Sequence, residues 1–194
     1  MNEKCVIAEF NKLCATLEKS PRRDEISNLL DCILENGFDK KPASIKYHLN
    51  FTGGLLLHSV NVAKTLVELT QKLNLKWESP DSPIIVGLFH DLCKLDLYKR
   101  DEQNGNVFGW GYNDTPELKL GGHGMLSALI ASRFVPLTNE ELYCIRYHMG
   151  AYETEDWEGF DYAIKKYPNV LYTHTADMIA SKILENGVDD LNEE

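Results

Sequence analysis

Apolar residues recur at helical spacing along most of the chain, and this pattern predicts an all-α fold. The stripe of Val6, Phe10, Leu13 and Leu17 predicts a first helix over residues 3–19. Further helices are predicted over residues 21–36, 53–73, 123–134, 138–148 and 160–167, with one that ends at 90–91 and one that starts at 168. We therefore expect a helical bundle.

One stretch in the middle of the chain lacks helical spacing and predicts a small β-hairpin insert. Two candidate strands, 95–100 and 106–112, flank Asn104-Gly105, a dipeptide that strongly favours a tight hairpin turn. The aromatic residues that alternate on one face of the second strand are Phe108, Trp110 and Tyr112. This face either packs on the helices or forms a flap that stacks on a nucleic-acid base.

An adjacent histidine and aspartate, His90 and Asp91, end the apolar run 84–89 and are followed by Lys94. A polar pair at the end of a buried segment needs partners, because unpaired polar groups are costly inside a protein. One interpretation is a core histidine that donates a hydrogen bond to a core carboxylate. The positions of the other histidines favour a metal site instead.

The chain has six histidines, and four of them lie with two aspartates on segments that are one helix and one connection apart. Helical bundles build metal centres in this way, from inward-facing side chains of separate helices. Four imidazoles and two carboxylates suit two divalent transition ions (Mn, Fe, Co, Ni or Zn) better than Mg or Ca. The candidate ligands are His58, His90, Asp91, His123, His148 and Asp177.

The order H…HD…H…H…D resembles the two-metal branch of the HD superfamily of metal-dependent phosphohydrolases. The resemblance extends over about residues 42–184. Its first segment, 42–59, is similar to the start of the HD domain in bacterial 3′→5′ exoribonucleases. The motifs at 121–124 and 145–150 are similar to those of small stand-alone HD proteins of bacteria and phages. The resemblance implies an HD-domain helical bundle.

The resemblance also assigns roles to the candidate ligands. A first ion would be held by His58, His90, Asp91 and Asp177. A second ion would be held by Asp91, His123 and His148. Lys94 matches the lysine of the family pattern HDxxK, which implies a contact with substrate phosphate. Asp91 and Lys94 are therefore the candidate catalytic residues.

Two positions depart from the family pattern. Met125 stands where related proteins often carry a glutamate after Gly-His-Gly. Ala180 stands where the exoribonucleases carry a second aspartate after the last ligand. The second departure weakens the exoribonuclease interpretation.

The length of 194 residues indicates one domain with a short extension. We expect an N-terminal helical extension over 1–41, an HD domain over 42–188 and an acidic tail over 189–194. The extension either supports the domain or forms a dimer face, so a homo-oligomer stays open. The formal net charge of −10 argues against a wide surface for long nucleic acid, which needs many Lys and Arg residues.

Cysteine use and hydropathy point to the cytoplasm. The five cysteines form no CxxC pair, which fits free thiols in a reducing compartment. The N-terminus lacks a signal-peptide pattern, and no run approaches the roughly 18 apolar residues that a membrane helix needs. We expect no membrane partner.

The expected activity is hydrolysis of a phosphate ester or phosphoanhydride of a nucleotide or short oligonucleotide by a metal-activated water. One alternative is a 3′→5′ exoribonuclease-like phosphodiesterase, and another is a catalytically silent metal-bound sensor or scaffold. A small phosphorylated substrate is expected as the partner. The candidate substrate contacts are His48, Trp110, Tyr112, Arg146 and His174.

Overall fold

The computed structural model describes residues 2–119, 121–152 and 155–188. Within these ranges the protein is mostly α-helical and contains a two-stranded antiparallel hairpin, which confirms the predicted fold class. No helix in the same ranges combines the length and apolar content that crossing a bilayer requires. The predicted acidic tail, 189–194, lies outside the described residues.

The N-terminal helix α1 (Glu3–Leu17) packs on the long helix α3 (Gly54–Leu73), and α2 (Arg23–Glu35) contributes to the same apolar cluster. Their buried positions follow helical spacing, and they belong to one apolar cluster with the buried residues of α3. The first 41 residues therefore contribute directly to the core. The boundary between an extension and a domain stays a prediction.

The centre of the fold is a close contact between α3 and α4 (Ser82–Phe89), a helix that is buried along its whole length. A side chain at Gly87 would place its Cβ only 2.3 Å from Ala63 Cα, so the two backbones approach at a distance that only glycine allows. This contact brings two predicted ligands together. The rings of His58, on α3, and His90, after α4, have centroids 5.1 Å apart.

The hairpin insert consists of β1 (Tyr98–Arg100) and β2 (Trp110–Tyr112), paired antiparallel with Arg100 opposite Trp110. Both strands are shorter than predicted. The first half of the predicted strand 95–100 belongs instead to a short helix, α5 (Lys94–Leu97). This helix continues from the buried α4 segment, and the chain becomes extended only at Tyr98.

The predicted hairpin forms around Asn104-Gly105, but its connection spans residues 101–109 and is longer than the predicted 101–105. Asp101 Oδ1 accepts a hydrogen bond from Asn104 N at 2.8 Å, which stabilises a local loop. Asn106 Nδ2 donates to the carbonyl oxygen of Asn50 at 2.7 Å. The first of these bonds is local and the second joins a distant segment, and together they stabilise the longer connection.

The remaining helices are α6 (His123–Ser132), α7 (Asn139–Arg146), α8 (Trp157–Lys166) and α9 (Asn169–Ile179). Thr138 and Glu141 form the predicted capping box at the start of α7. After α9 the chain continues as a π-helical segment, Ala180–Leu184. The backbone N–H of Glu185 donates to Ala180 O, five residues back, at 3.0 Å. This wider turn sets the direction of Glu185.

A buried ion network joins the starts of α2, α4 and α7. The Arg22 guanidinium donates two hydrogen bonds to the Glu141 carboxylate, at 2.8 and 2.7 Å. It donates a third to Asp81 Oδ1 at 2.7 Å. Ser82 Oγ also donates to Glu141 at 2.7 Å. The charges are paired and hydrogen-bonded, which is the condition for placing them in the interior.

Candidate metal centre

Two predicted ligands have one ring nitrogen fixed by a backbone carbonyl. His90 Nδ1–H donates to Gly87 O at 2.8 Å, and His148 Nδ1–H donates to Ile145 O at 2.8 Å. A carbonyl oxygen can only accept, so Nδ1 carries the hydrogen in both rings. The lone pair of each neutral imidazole therefore lies on Nε2, the atom that is left to bind an ion.

A third predicted ligand, His58, is oriented by an acidic side chain. His58 Nδ1 lies 3.1 Å from both carboxylate oxygens of Glu185, and Asn61 Nδ2 donates to Glu185 Oε1 at 3.0 Å. Carboxylate–histidine pairs of this kind are typical of metal ligands, because the carboxylate fixes the tautomer and the ring direction. The opposite nitrogen, His58 Nε2, lies 3.1 Å from Asp177 Oδ1.

The Nε2 atoms of these histidines converge on two carboxylates. The Nε2 atoms of His90 and His148 lie 3.4 and 3.5 Å from the two oxygens of Asp91. Two overlapping groups have all their ligand atoms within 4.8 Å of one another: His58, His90 and Asp177, and His90, Asp91 and His148. Each member comes from a different helix or helix end, apart from the neighbours His90 and Asp91.

Two buried atoms at this point have no hydrogen-bond partner among the described residues: Asp91 Oδ1 and His148 Nε2. Leaving a buried polar group unpaired costs about 1–3 kcal/mol. The 3.5 Å between them is long for a hydrogen bond. It suits two donors that each lie about 2.0–2.2 Å from one shared ion. Imidazole and carboxylate donors together suit a transition ion such as zinc, so this donor set fits a metal.

Opposite charges shift the pKa values in this cluster. Burial alone would lower the pKa of His58, but Glu185 and Asp177 outweigh it and raise that pKa to about 10. Burial alone would raise the pKa of Asp177, but the hydrogen bond and charge of His58 hold it below its ordinary value. A metal ligand must be a neutral imidazole, so ion binding at His58 is expected to release a proton.

Lys94 is buried against Asp91. Its Nζ lies 2.5 Å from Asp91 Oδ2, one helical turn away in sequence. Burial alone would lower the pKa of Lys94, but the Asp91 charge outweighs it and raises that pKa above its ordinary value. Burial would also raise the pKa of Asp91, and Lys94 is the largest of the influences that hold it well below its usual range. The contact between Lys94 and substrate phosphate stays a prediction.

The remaining predicted ligand, His123, is the first residue of α6 and belongs to neither group of close ligand atoms in the described ranges. It lines a cavity of about 420 Å³ together with Asn113 and Lys119. The resemblance assigns Asp91, His123 and His148 to one ion. The group of close ligand atoms around Asp91 contains His90 and His148 and does not include His123. A second ion held through His123 stays a prediction.

The two hairpin residues predicted to contact substrate differ in exposure. Trp110 is 4% exposed, its Nε1 donates to Thr52 Oγ1 at 3.3 Å, and the Arg100 guanidinium covers its ring at 4.1 Å. This ring packs within the insert, so stacking on a base would require the hairpin to open. Tyr112 is 53% exposed, and its ring contacts Tyr98 edge-on at 5.6 Å.

The candidate substrate contacts of the C-terminal half both lie beside the ligand His148. The Arg146 guanidinium stacks over the Tyr147 ring at 5.0 Å. His174 Nδ1–H donates to the carbonyl oxygen of His148 at 2.7 Å. His174 therefore fixes the backbone at the candidate ligand His148. Its contact with substrate stays a prediction.

Sequence reasoning missed Glu185, which fixes the ring of His58. It lies eight residues after Asp177, and in a regular α-helix that spacing would turn it about 80° away from the direction of Asp177, so helical spacing gave no signal for it. His48, predicted as a substrate contact, lies on the same side of His58 as Glu185, with ring centroids of the two histidines 5.0 Å apart. Burial is the largest cause that lowers the pKa of His48, to about 4.

Comparisons with protein families, curated proteins and solved structures give no match for this chain. The structure shows a buried cluster of histidine and aspartate side chains that could hold a metal ion, inside a helical fold.

Proposed function

We propose that this protein is a metal-dependent phosphohydrolase that cleaves a phosphate ester or phosphoanhydride of a nucleotide or short oligonucleotide. The observation that carries the proposal is the arrangement of His58, His90 and His148, whose Nδ1 atoms are held by acceptors while their Nε2 atoms face Asp91 and Asp177. The resemblance of the H…HD…H…H…D order to the HD superfamily supports the same chemistry.

A bound transition ion supplies Lewis-acid polarisation of a phosphoryl oxygen and of a nearby water molecule. The protein prepares its ligands before binding, because the acceptors at Nδ1 fix both the tautomers and the ring directions. Asp91 turns Oδ2 toward His90 and Oδ1 toward His148. When an ion binds here, Asp91 would offer one carboxylate oxygen beside His90 and the other beside His148 as ligand atoms.

Lys94 supplies a positive charge beside this cluster. Because its pKa is raised, its ammonium stays protonated at neutral pH. We propose that this charge turns to a phosphate oxygen when Asp91 is engaged by an ion. A preorganised charge aimed at the negative charge that develops on phosphorus oxygens typically contributes about 10²–10³ in rate.

The charge of the chain bears on the size of the substrate. With a net charge of −10, the surface repels a long polyanion along its whole length, whereas a small phosphate compound needs to approach only the metal centre. We therefore propose a mononucleotide or short oligonucleotide rather than long structured RNA.

One observation favours a second candidate, a closed metal site without catalysis. The side chains of His58, His90, Asp91 and His148 are at most 3% exposed, and structural metal sites are closed whereas catalytic sites keep an open position. Asp177 is the most open of the cluster, with a side chain that is 9% exposed. A phosphohydrolase requires a route for substrate past Asp177, whereas a closed metal site does not.

The test is a panel of substrates with the protein stripped of metal and then reloaded with Mn, Fe, Co, Ni or Zn. We expect metal-dependent turnover of a mononucleotide or dinucleotide that Asp91→Ala abolishes. Faster, processive degradation of a long single strand would favour the exoribonuclease alternative. A metal-loaded protein that turns over no phosphate ester or anhydride would leave the closed site as the function.

A further inference from the structure

A further group of ligand atoms lies behind His58, on the side opposite the metal centre. His48, His58 and Glu185 each place one ligand atom within 4.8 Å of the others. The metal centre is approached by His58 Nε2, whereas this group lies around His58 Nδ1, the other nitrogen of the same ring. The two groups therefore share a ring but not a ligand atom.

The two oxygens of the Glu185 carboxylate have different neighbours. Oε1 accepts a hydrogen bond from Asn61 Nδ2 at 3.0 Å and lies 3.1 Å from His58 Nδ1. Oε2 also lies near His58 Nδ1 but faces His48 Nε2 at 3.7 Å. That distance is too long for a hydrogen bond. It suits a nitrogen and an oxygen that bind one ion from two sides, each about 2.0–2.2 Å away.

His48 Nε2 is buried and has no hydrogen-bond partner within the described ranges. The next residue in the chain has an unusual backbone conformation. Leu49 has φ 46°, a left-handed conformation that costs a residue other than glycine roughly 1–2 kcal/mol. Strained backbone of this kind is found where a side chain must be aimed at a functional position.

Two side chains of this group differ in exposure, because that of Glu185 is 0% exposed and that of His48 is 20% exposed. A cavity of about 410 Å³ borders it, and its polar lining includes His48, Asn50, Ser181, Lys182, Glu185 and Asn186. The cavity gives room for the water molecules or side-chain oxygens that would complete the coordination of an ion held by only two protein ligands. Lys182 is exposed at this rim and is expected to weaken the attraction for a cation.

We propose that His48 Nε2 and Glu185 Oε2 form an outer binding site for a divalent transition ion, separate from the metal centre. Imidazole with a carboxylate selects borderline ions such as Zn²⁺ or Co²⁺ over Mg²⁺ or Ca²⁺. With two protein ligands and an open cavity, this site binds more weakly than the metal centre.

The outer site is coupled to the metal centre through Glu185. An ion at Oε2 withdraws negative charge from the carboxylate that fixes His58 Nδ1, and it adds a positive charge near the first ion. Both effects make binding at one site less favourable when the other is filled, and the coupling is reciprocal. Filling the outer site is therefore expected to weaken the affinity of the metal centre without changing the number of ions that the centre holds at saturation.

The test counts bound metal and needs no activity. Wild-type protein and His48→Ala are equilibrated with increasing Zn²⁺, and metal per chain is measured by elemental analysis after rapid separation. We expect wild type to bind one more weak equivalent than His48→Ala, while the tight equivalents stay equal. Tyr47→Ala is the matched control, because Tyr47 lines the same cavity, is 76% exposed and carries no imidazole or carboxylate.

A second variant covers the case in which His48→Ala does not fold. In Glu185→Gln the amide oxygen can keep the bonds from Asn61 and His58, while the amide N–H₂ faces His48 Nε2 and occupies the gap. This variant is expected to fold and to lose the weak equivalent. The proposal is overturned if folded His48→Ala or Glu185→Gln binds as many weak equivalents as wild type, or if Tyr47→Ala loses the same equivalent. Loss of the tight equivalents with the weak equivalent retained would likewise overturn the proposal.

Discussion

Lys94 and Asp91 form a buried ion pair one helical turn apart, with Nζ 2.5 Å from Oδ2, at the same carboxylate that faces two histidine ligands. Asp91 therefore has two sets of partners: a lysine of its own chain, and any ion that the histidines hold. Competition between these partners makes the role of Lys94 measurable.

Lys94→Ala should destabilise the metal-free protein by about 3–5 kcal/mol, because it leaves the Asp91 charge buried without its cation. Loading with a transition ion should restore much of this stability, since the ion then neutralises Asp91. In the loaded protein the rate should fall by about 10²–10³. The measurements are unfolding free energy with and without metal, and kcat.

Lys94→Met is the matched control for this change, because it keeps an unbranched apolar stem and removes only the charge. An effect shared by both variants belongs to the charge, and an effect confined to the alanine belongs to packing. A fully active Lys94→Ala enzyme would remove Lys94 from the proposed mechanism.

His148→Ala and His123→Ala should differ in metal affinity. His148 directs Nε2 at Asp91, so its loss should weaken binding by more than the roughly 10–100-fold that removal of an outer-shell partner costs. His123 lies outside both groups of close ligand atoms, so its loss should leave the affinity close to that of wild type. Competitive titration with a chromophoric chelator measures both. Equal losses would restore His123 to the ligand set that the resemblance implies.

Gly87→Ala should destabilise the protein and loosen the metal centre together. The new Cβ would lie 2.3 Å from Ala63 Cα, so α3 and α4 must move apart, and with them His58 and His90. Overpacking of this kind costs about 1–3 kcal/mol, and occasionally more. Gly121→Ala is the control, because no atom of the described residues lies within 4 Å of its added Cβ, and its effect should stay within about 0.5 kcal/mol. A Gly87→Ala protein with unchanged stability and metal affinity would contradict the close contact.

Arg22→Ala should cost about 3–5 kcal/mol at neutral pH, because the carboxylates of Asp81 and Glu141 then lose their buried cation. Burial alone would raise the pKa of Asp81, but the hydrogen bond from Arg22 is the largest of the influences that lower it. The stabilisation from Asp81 is therefore complete above its unfolded-state pKa of about 3.9 and is lost as the pH falls through the lower folded-state value.

The difference in stability between wild type and Arg22→Ala is accordingly expected to shrink below about pH 4. Denaturant titrations at several pH values measure it. A difference that stays constant from neutral to acidic pH would contradict the assignment to Asp81.

The sequence was most informative where local rules decide the structure. Helical spacing located the helices within a few residues, and the Thr138–Glu141 capping box forms as predicted because its hydrogen bonds are made within one turn. His58, His90, Asp91, His148 and Asp177 lie together because each ends or lines an inward-facing helix segment.

The sequence was least informative where distant contacts decide. The connection around Asn104-Gly105 is longer than predicted, because bonds such as that between Asn106 and Asn50 favour a wider loop. Trp110 is covered by Arg100, a residue of the opposite strand that no periodicity connects to it. The contact of Glu185 with His58 was not predicted, because the direction of Glu185 depends on a π-helical segment. An apolar pattern gives no signal for such a segment.

The π-helical segment Ala180–Leu184 acts as a one-residue insertion in the helix that carries Asp177. Each residue of an α-helix advances the side-chain direction by about 100°, so inserting one further residue after the exposed Ile183 would turn Glu185 away from His58 without altering any ligand. The orientation of His58 is thus set by the length of the chain after Asp177 as well as by its composition. A single-residue insertion there would change the site more than many substitutions on the same face.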